Sequence, residues 1–231
     1  ESKKGGIFPA LLTKYIKMQG VETYQMTTSD LFGEETIFRY QYEHPNGKYF
    51  KATGSTLQEC RVQRNQWLKA YSVAFTGHRT PRILASAGNN KHILEMLTLR
   101  TRTHLHTLCV AGYHTYLCGM SEGFDLMAAE QVNILKTLFD GVRLIAVVPF
   151  RGQEACFSLN DQKRYYQILE EADETVILSD TYFEGCFTKR NDYLLKYAGR
   201  VLACFDGAFY GGTAYTVRKA TMKGILIDNI F

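Results

Sequence analysis

Hydrophobic and polar positions change rhythm twice along this chain. Residues 1–30 carry little pattern; only Phe8 to Met18, with Leu11, Leu12, Tyr15 and Ile16 on one side, predicts a short helix. From Ile37 to Tyr42 apolar and polar residues alternate, HPNG at 44–47 signals a turn, and Lys48–Ala52 returns as a second strand. Thr56-Leu57-Gln58-Glu59 fits a capping box, in which a hydroxyl and a carboxylate three residues apart satisfy amides at a helix start. It opens a helix through about Lys69, whose Leu57, Cys60, Arg64, Trp67 and Leu68 share a stripe suited to packing on the hairpin. The expectation for residues 1–70 is a small ββα accessory module.

From Tyr71 short, wholly apolar strands alternate with helical periodicity. Strands are predicted at 72–76, 115–118, 142–148, 174–178, 201–205 and 224–228, and helices at 90–109, 125–139, 161–171, 188–198 and 213–222. Strands apolar on both faces belong in a parallel sheet covered by helices on each side. Residues 71–231 therefore predict an α/β, Rossmann-like doubly wound domain with a mostly parallel six-stranded sheet. Ligands of such sheets bind beyond the carboxyl ends of the strands.

Composition narrows the function classes. Of 231 residues, 45% are hydrophobic and 22% charged, as in an ordinary globular protein. No apolar run approaches the ~18–20 residues needed to span a bilayer, and ESKKGGIFPALL is a poor secretory signal; a cytoplasmic protein without membrane partners is expected. Cysteines 60, 109, 118, 156, 186 and 204 are scattered without a CxxC pair, and read as reduced thiols. His104 and His106 diverge on a helix, so no metal site is expected. The net charge of +4 divides into +3 over residues 1–70 and +1 over residues 71–231. Nucleic-acid attraction would thus be modest and reside in the N-terminal part, through Arg39, Lys48, Lys51, Arg61 and Arg64 with Tyr40, Tyr42 and Tyr49 between them. The blander reading, a solvated arginine face with packed tyrosines, is preferred.

The unusual residues lie where the strands end: TGHRTPR after the first, GMSEGFD after the second, PFRGQ after the third and FDGAFYGGT after the fifth. Two of these, Gly119–Asp125 and Asp206–Thr213, join glycines to a helix start, whose unpaired amides and partial positive charge suit an anion. Arg79, Arg82 and Arg151 are positioned to add charge. Each residue has a plainer alternative. Arg79 could pair with a surface carboxylate, His78 could be a satisfied turn histidine, Asp125 is most economically an N-cap, and Glu122 and Asp206 either contact ribose hydroxyls or cap and turn. The first turn lacks G-x-G-x-x-G, so a dehydrogenase, and with it a nicotinamide cofactor, is not expected.

TGHR, GMSEGFDLMAAE, the KRN at 189–191 and FDGAFYGGTAYTVRKA, in that order, resemble the YpsA/YspA-type branch of the SLOG (Smf/DprA–LOG) superfamily over about residues 71–231. The resemblance implies a Rossmann-like pocket for a nucleotide or nucleotide-derived ligand; with the paired glycine loops and flanking arginines, a sensor or sequestering module is expected. Its motif positions map to Gly77, His78, Arg79, Gly119, Gly123, Asp125, Arg190, Asn191, Gly211, Gly212 and Thr213, to which the loops add Ser121 and Asp206. The related LOG phosphoribohydrolases carry P-G-G-x-G-T-x-x-E, where this chain has Ala208, Phe209 and Tyr210 for P-G-G and Thr216 for the glutamate. A nucleotide N-glycosidase is the alternative, with Glu122 or Asp125 as candidate catalytic carboxylates. FRYQYEHPNGKYFKATGSTLQECRVQRNQWL resembles accessory modules in proteins of bacterial mobile elements and assigns no activity. Segment 179–187, with Tyr182, Phe183, Gly185 and Phe187, is expected to cover the pocket or a neighbouring subunit of a homo-oligomer.

Overall fold

The computed structural model describes residues 20–29, 35–90 and 92–231. The expected helix at 8–18 lies outside them. Alternation and turn signals at the N-terminal side build a small antiparallel sheet of β1 (Val21–Ser29), β2 (Glu35–Glu43) and β3 (Tyr49–Gly54), followed by α1 (Leu57–Ala70). The module is therefore βββα rather than ββα: β1 adds along the whole of β2, from Val21 opposite Glu43 to Ser29 opposite Glu35. Tyr40, Tyr42 and Cys60 form its core, with Leu57, Trp67 and Leu68 of α1 packed on them. Arg61 and Arg64 both reach Glu22 on β1, and Arg64 also donates to the Tyr40 hydroxyl at 3.0 Å. These two arginines are thus already engaged with a carboxylate.

The second sheet is parallel throughout. It comprises β4 (Ser72–Gly77), β5 (Thr115–Cys118), β6 (Arg143–Val148), β7 (Glu174–Ile177), β8 (Arg200–Cys204) and β9 (Leu226–Asn229), in the order β7-β6-β5-β4-β8-β9. Between these strands run α2 (Thr80–Ser86), α3 (His92–Val110), α4 (Phe124–Lys136), α5 (Leu159–Glu171), α6 (Cys186–Tyr197) and α7 (Gly212–Met222). Because successive strand residues face opposite ways, Val73 and Phe75 of β4 join one core with α3, α4 and α5. Ala74 joins the other with α6 and α7. Helix α2 stands where only a turn and loop were expected; Pro81 occupies its first turn, where a missing amide hydrogen costs nothing. Among the described residues no helix is long and apolar enough to cross a membrane.

The strand order locates the functional end of the molecule. Strands β4 to β7 extend the sheet one way and β8 and β9 the other, so the chain reverses between β4 and β8. Helices leaving those two strands lie on opposite faces, which opens a crevice at their carboxyl ends. The register sets Gly77 beside Cys204, and the His78 amide donates to the Cys204 carbonyl at 3.3 Å.

Candidate functional site

At that switch point lies a cleft of about 390 Å³. Of the residues named from sequence, Gly77, His78, Arg79, Ser121, Asp125, Arg190, Asn191, Gly212 and Thr213 line it, together with Arg82. Phe75, Thr76 and Phe187 line it as well. Phe187 had a signal available, since Phe187, Arg190 and Asn191 stand at i, i+3 and i+4, one face of α6.

Gly119, Glu122, Gly123, Asp206 and Gly211 surround this lining. Gly123 lets two loops touch: its φ is 90°, and a Cβ there would lie 2.7 Å from the His78 carbonyl oxygen and from the Arg79 Cα. The Phe124 amide donates to that same carbonyl at 3.2 Å, which fixes the start of α4 against the end of β4. Gly123, not Asp125, is the N-cap of α4. Asp125 instead turns inward, accepts the Ser121 amide at 3.3 Å and faces Arg190 at 3.4 Å, both side chains being almost wholly buried. Burial pushes the Asp125 carboxyl up against the pull of Arg190, and burial lowers Arg190 in turn.

Arg190 donates from Nε to Asn191 Oδ1 at 2.7 Å, from Nη1 to the Gly119 carbonyl and from Nη2 to Ser121 Oγ at 3.2 Å. Most of its donors are spent inside the protein, so it braces the Gly119–Asp125 loop. Met120 of that loop is fully buried with φ 58°, a left-handed conformation uncommon for a residue with a side chain. Its carbonyl accepts from Gln153 Nε2 at 3.1 Å.

Asp206 is equally occupied. Its carboxylate accepts from Arg82 Nε at 2.7 Å, Ser86 Oγ at 2.6 Å and the Ala208 amide at 3.0 Å, and it lies 2.8 Å from His78 Nε2. Burial would raise this carboxyl, but the bonds from Ser86, Arg82 and Ala208 and the neighbouring His78 hold it well below the usual range. Asp206 thereby orients His78.

Charge at the mouth comes from Arg79, 57% exposed and 3.5 Å from Glu122. Arg151, expected to contribute, does not line the cleft; it pairs with Asp180 at 2.9 Å. It follows β6, two strands from β4, and strands lie roughly 5 Å apart, so its loop opens about 10 Å to one side. Only one of the two glycine-bearing helix starts remains open to an anion. In α4 the first turn already holds Asp125. In α7 the first turn has no acidic residue, and the amides of Gly212, Thr213 and Ala214 donate to no acceptor among the described residues. Among the described residues no group of three His, Cys, Asp or Glu is placed to hold a metal ion.

Comparison with known proteins follows the same part of the chain. A UPF0398 protein of Halalkalibacterium halodurans is 29% identical over 114 residues, 48% of this chain and 60% of the relative. One from Bacillus thuringiensis is 25% identical over 154 residues, 66% of this chain and 83% of the relative. Among solved structures, DNA processing protein A from Helicobacter pylori, described as binding single-stranded DNA, is similar over 89% of this chain and 79% of its own, with a TM-score of 0.49 and 14% identity. The YspA SLOG family matches residues 73–224, from the first parallel strand to the end of α7, and the chain belongs to that family.

Proposed function

We propose that the protein binds a phosphate-bearing, nucleotide-derived small molecule in the β4/β8 cleft, as a sensor or sequestering module. One observation carries this reading: the open start of α7. Three amides without an acceptor among the described residues, two of them on the cleft-lining Gly212 and Thr213, and the positive end of the helix dipole adjoin Arg79, with no carboxylate in that turn. The volume, about 390 Å³, is in the range of small-ligand sites. Membership of the SLOG family agrees with a ligand at this place.

Retention fits the residues better than cleavage. Thr216 stands where the related hydrolase motif has glutamate; it is fully buried, and its hydroxyl donates to the Gly212 carbonyl at 2.8 Å. Asp125 is tied to Arg190, and Glu122 lies beside Arg79.

Calorimetric titration with AMP, ADP-ribose and cyclic dinucleotides tests the proposal. A bound ligand at a hundred times its dissociation constant should stabilise the fold by about 2.7 kcal/mol. Arg79→Ala should weaken binding and leave the unliganded melting temperature unchanged. Gly212→Ala is diagnostic, because an added Cβ would meet only Asn191 Nδ2, at 3.6 Å. The fold accommodates it, whereas an anion seated on the neighbouring amides is crowded. Silence across the whole panel overturns the proposal.

A further inference from the structure

We propose that residues Gly207–Gly211 form an aromatic flap whose Phe209 and Tyr210 stack on the base of the bound nucleotide. The inference rests on the nucleotide reading above and assigns the part of the site that holds the base. Phe209 is 80% exposed and Tyr210 89%, both on the turn that leads directly into the open start of α7. Water is a poor environment for two adjacent rings. A single exposed aromatic calls for no explanation; two adjacent ones beside a helix start that lines a cleft do.

Phe187 lines the same cleft and is 36% exposed, with Tyr182 and Phe183 exposed on the same segment. Two aromatic-bearing segments therefore flank the place where the α7 amides and Arg79 hold negative charge. A free phosphate or a sugar phosphate would use the charge and leave the rings idle. A nucleotide uses both, since every base has a planar face that stacks on aromatic side chains.

The turn is built to move its rings. Gly207 and Gly211 bracket it with φ 83° and 101°, and no atom lies within 4 Å of a Cβ at either position. Glycine at both ends widens the range of backbone conformations open to the turn. The middle of the turn is tethered, because Arg218 Nη1 donates to the Phe209 carbonyl at 2.6 Å. Stacking of this kind tolerates different bases, so the flap adds affinity for nucleotides as a class.

Parallel titrations with AMP and ribose 5-phosphate test the flap. AMP should bind about tenfold more tightly than ribose 5-phosphate. The double variant Phe209→Ala/Tyr210→Ala should bring AMP down to the level of ribose 5-phosphate and leave the latter unchanged. Tyr210→Phe should behave as wild type, because the ring and not the hydroxyl does the stacking. Arg79→Ala should weaken both probes by the same factor. If the two probes bind equally and the double variant changes neither, the flap is overturned and the anion seat stands. If neither probe binds, the anion seat fails with it. Two other results reassign the rings and overturn the inference. One is Tyr210-dependent binding of an oligothymidine with no binding of AMP. The other is a lower oligomeric state in the double variant at unchanged AMP affinity.

Discussion

Arg190 shows how much of a binding cleft is spent on holding itself together. Its guanidinium meets Asp125, Gly119, Ser121 and Asn191, and its own side chain and that of Asp125 are almost wholly buried. Removing one member of a buried ion pair leaves an uncompensated charge, at a cost of about 3–5 kcal/mol. Arg190→Met should therefore lower the denaturation midpoint steeply. The double variant Arg190→Met/Asp125→Leu should recover part of that loss. The deficit of the single variant should also shrink in acid. Without Arg190 the Asp125 carboxyl, already raised by burial, is raised further, and such a group costs stability as pH rises through its folded-state value. Both residues stand out in the sequence within motif-like stretches. Their mutual duty does not, because 65 positions separate them.

At the scale of elements, local chemistry reads well where a start signal is strong. The capping box at Thr56 is observed: the Glu59 amide donates to Thr56 Oγ1 at 3.2 Å. Its second half is shifted by one residue, since Glu59 Oε2 accepts the amide and hydroxyl of Ser55. Thr56→Ala should cost about 1 kcal/mol, read from chemical denaturation. Strand β1 escaped sequence reading for a physical reason. It is an edge strand, and Val21, Tyr24 and Met26 are exposed on it, so burial imposes no clean alternation; pairing with β2 defines it. Helix α2 was hidden because Thr80-Pro81 reads as a turn, although proline suits a helix start equally well. The six parallel strands, buried on both faces near the middle of the sheet, were legible to within a residue or two.

For the molecule as a whole, the small sheet and the parallel sheet meet through two histidines. His44 and His114 are each 2% exposed, with ring centroids 3.8 Å apart, and Trp67 and Tyr71 flank the pair. Burial, then repulsion from His44, Lys48 and Arg143, lowers His114 to about 3, and burial lowers His44 as well. Released by unfolding, His114 would bind a proton near its ordinary value of 6.5. Between roughly pH 6.5 and 3 the unfolded chain thus holds more protons than the folded one, so stability falls as pH falls through that window. Melting temperature measured against pH should show this slope, and His114→Phe should flatten it.

By itself the sequence determined most of the elements, because a strand buried on both faces, a helix stripe and a glycine turn each leave their mark within a few neighbouring residues. It also placed TGHR, the Gly119–Asp125 loop and the Asp206–Thr213 turn at strand ends. Tertiary structure alone decided which ends are neighbours. The order β7-β6-β5-β4-β8-β9 sets β4 beside β8, which joins His78 to Asp206 across 128 residues and carries Arg151 away from the cleft. It also decided that Asp125 serves Arg190 and that the first turn of α7 is left open. Strand order and the partners of buried charges depend on contacts between distant segments, and no local pattern of residues contains them.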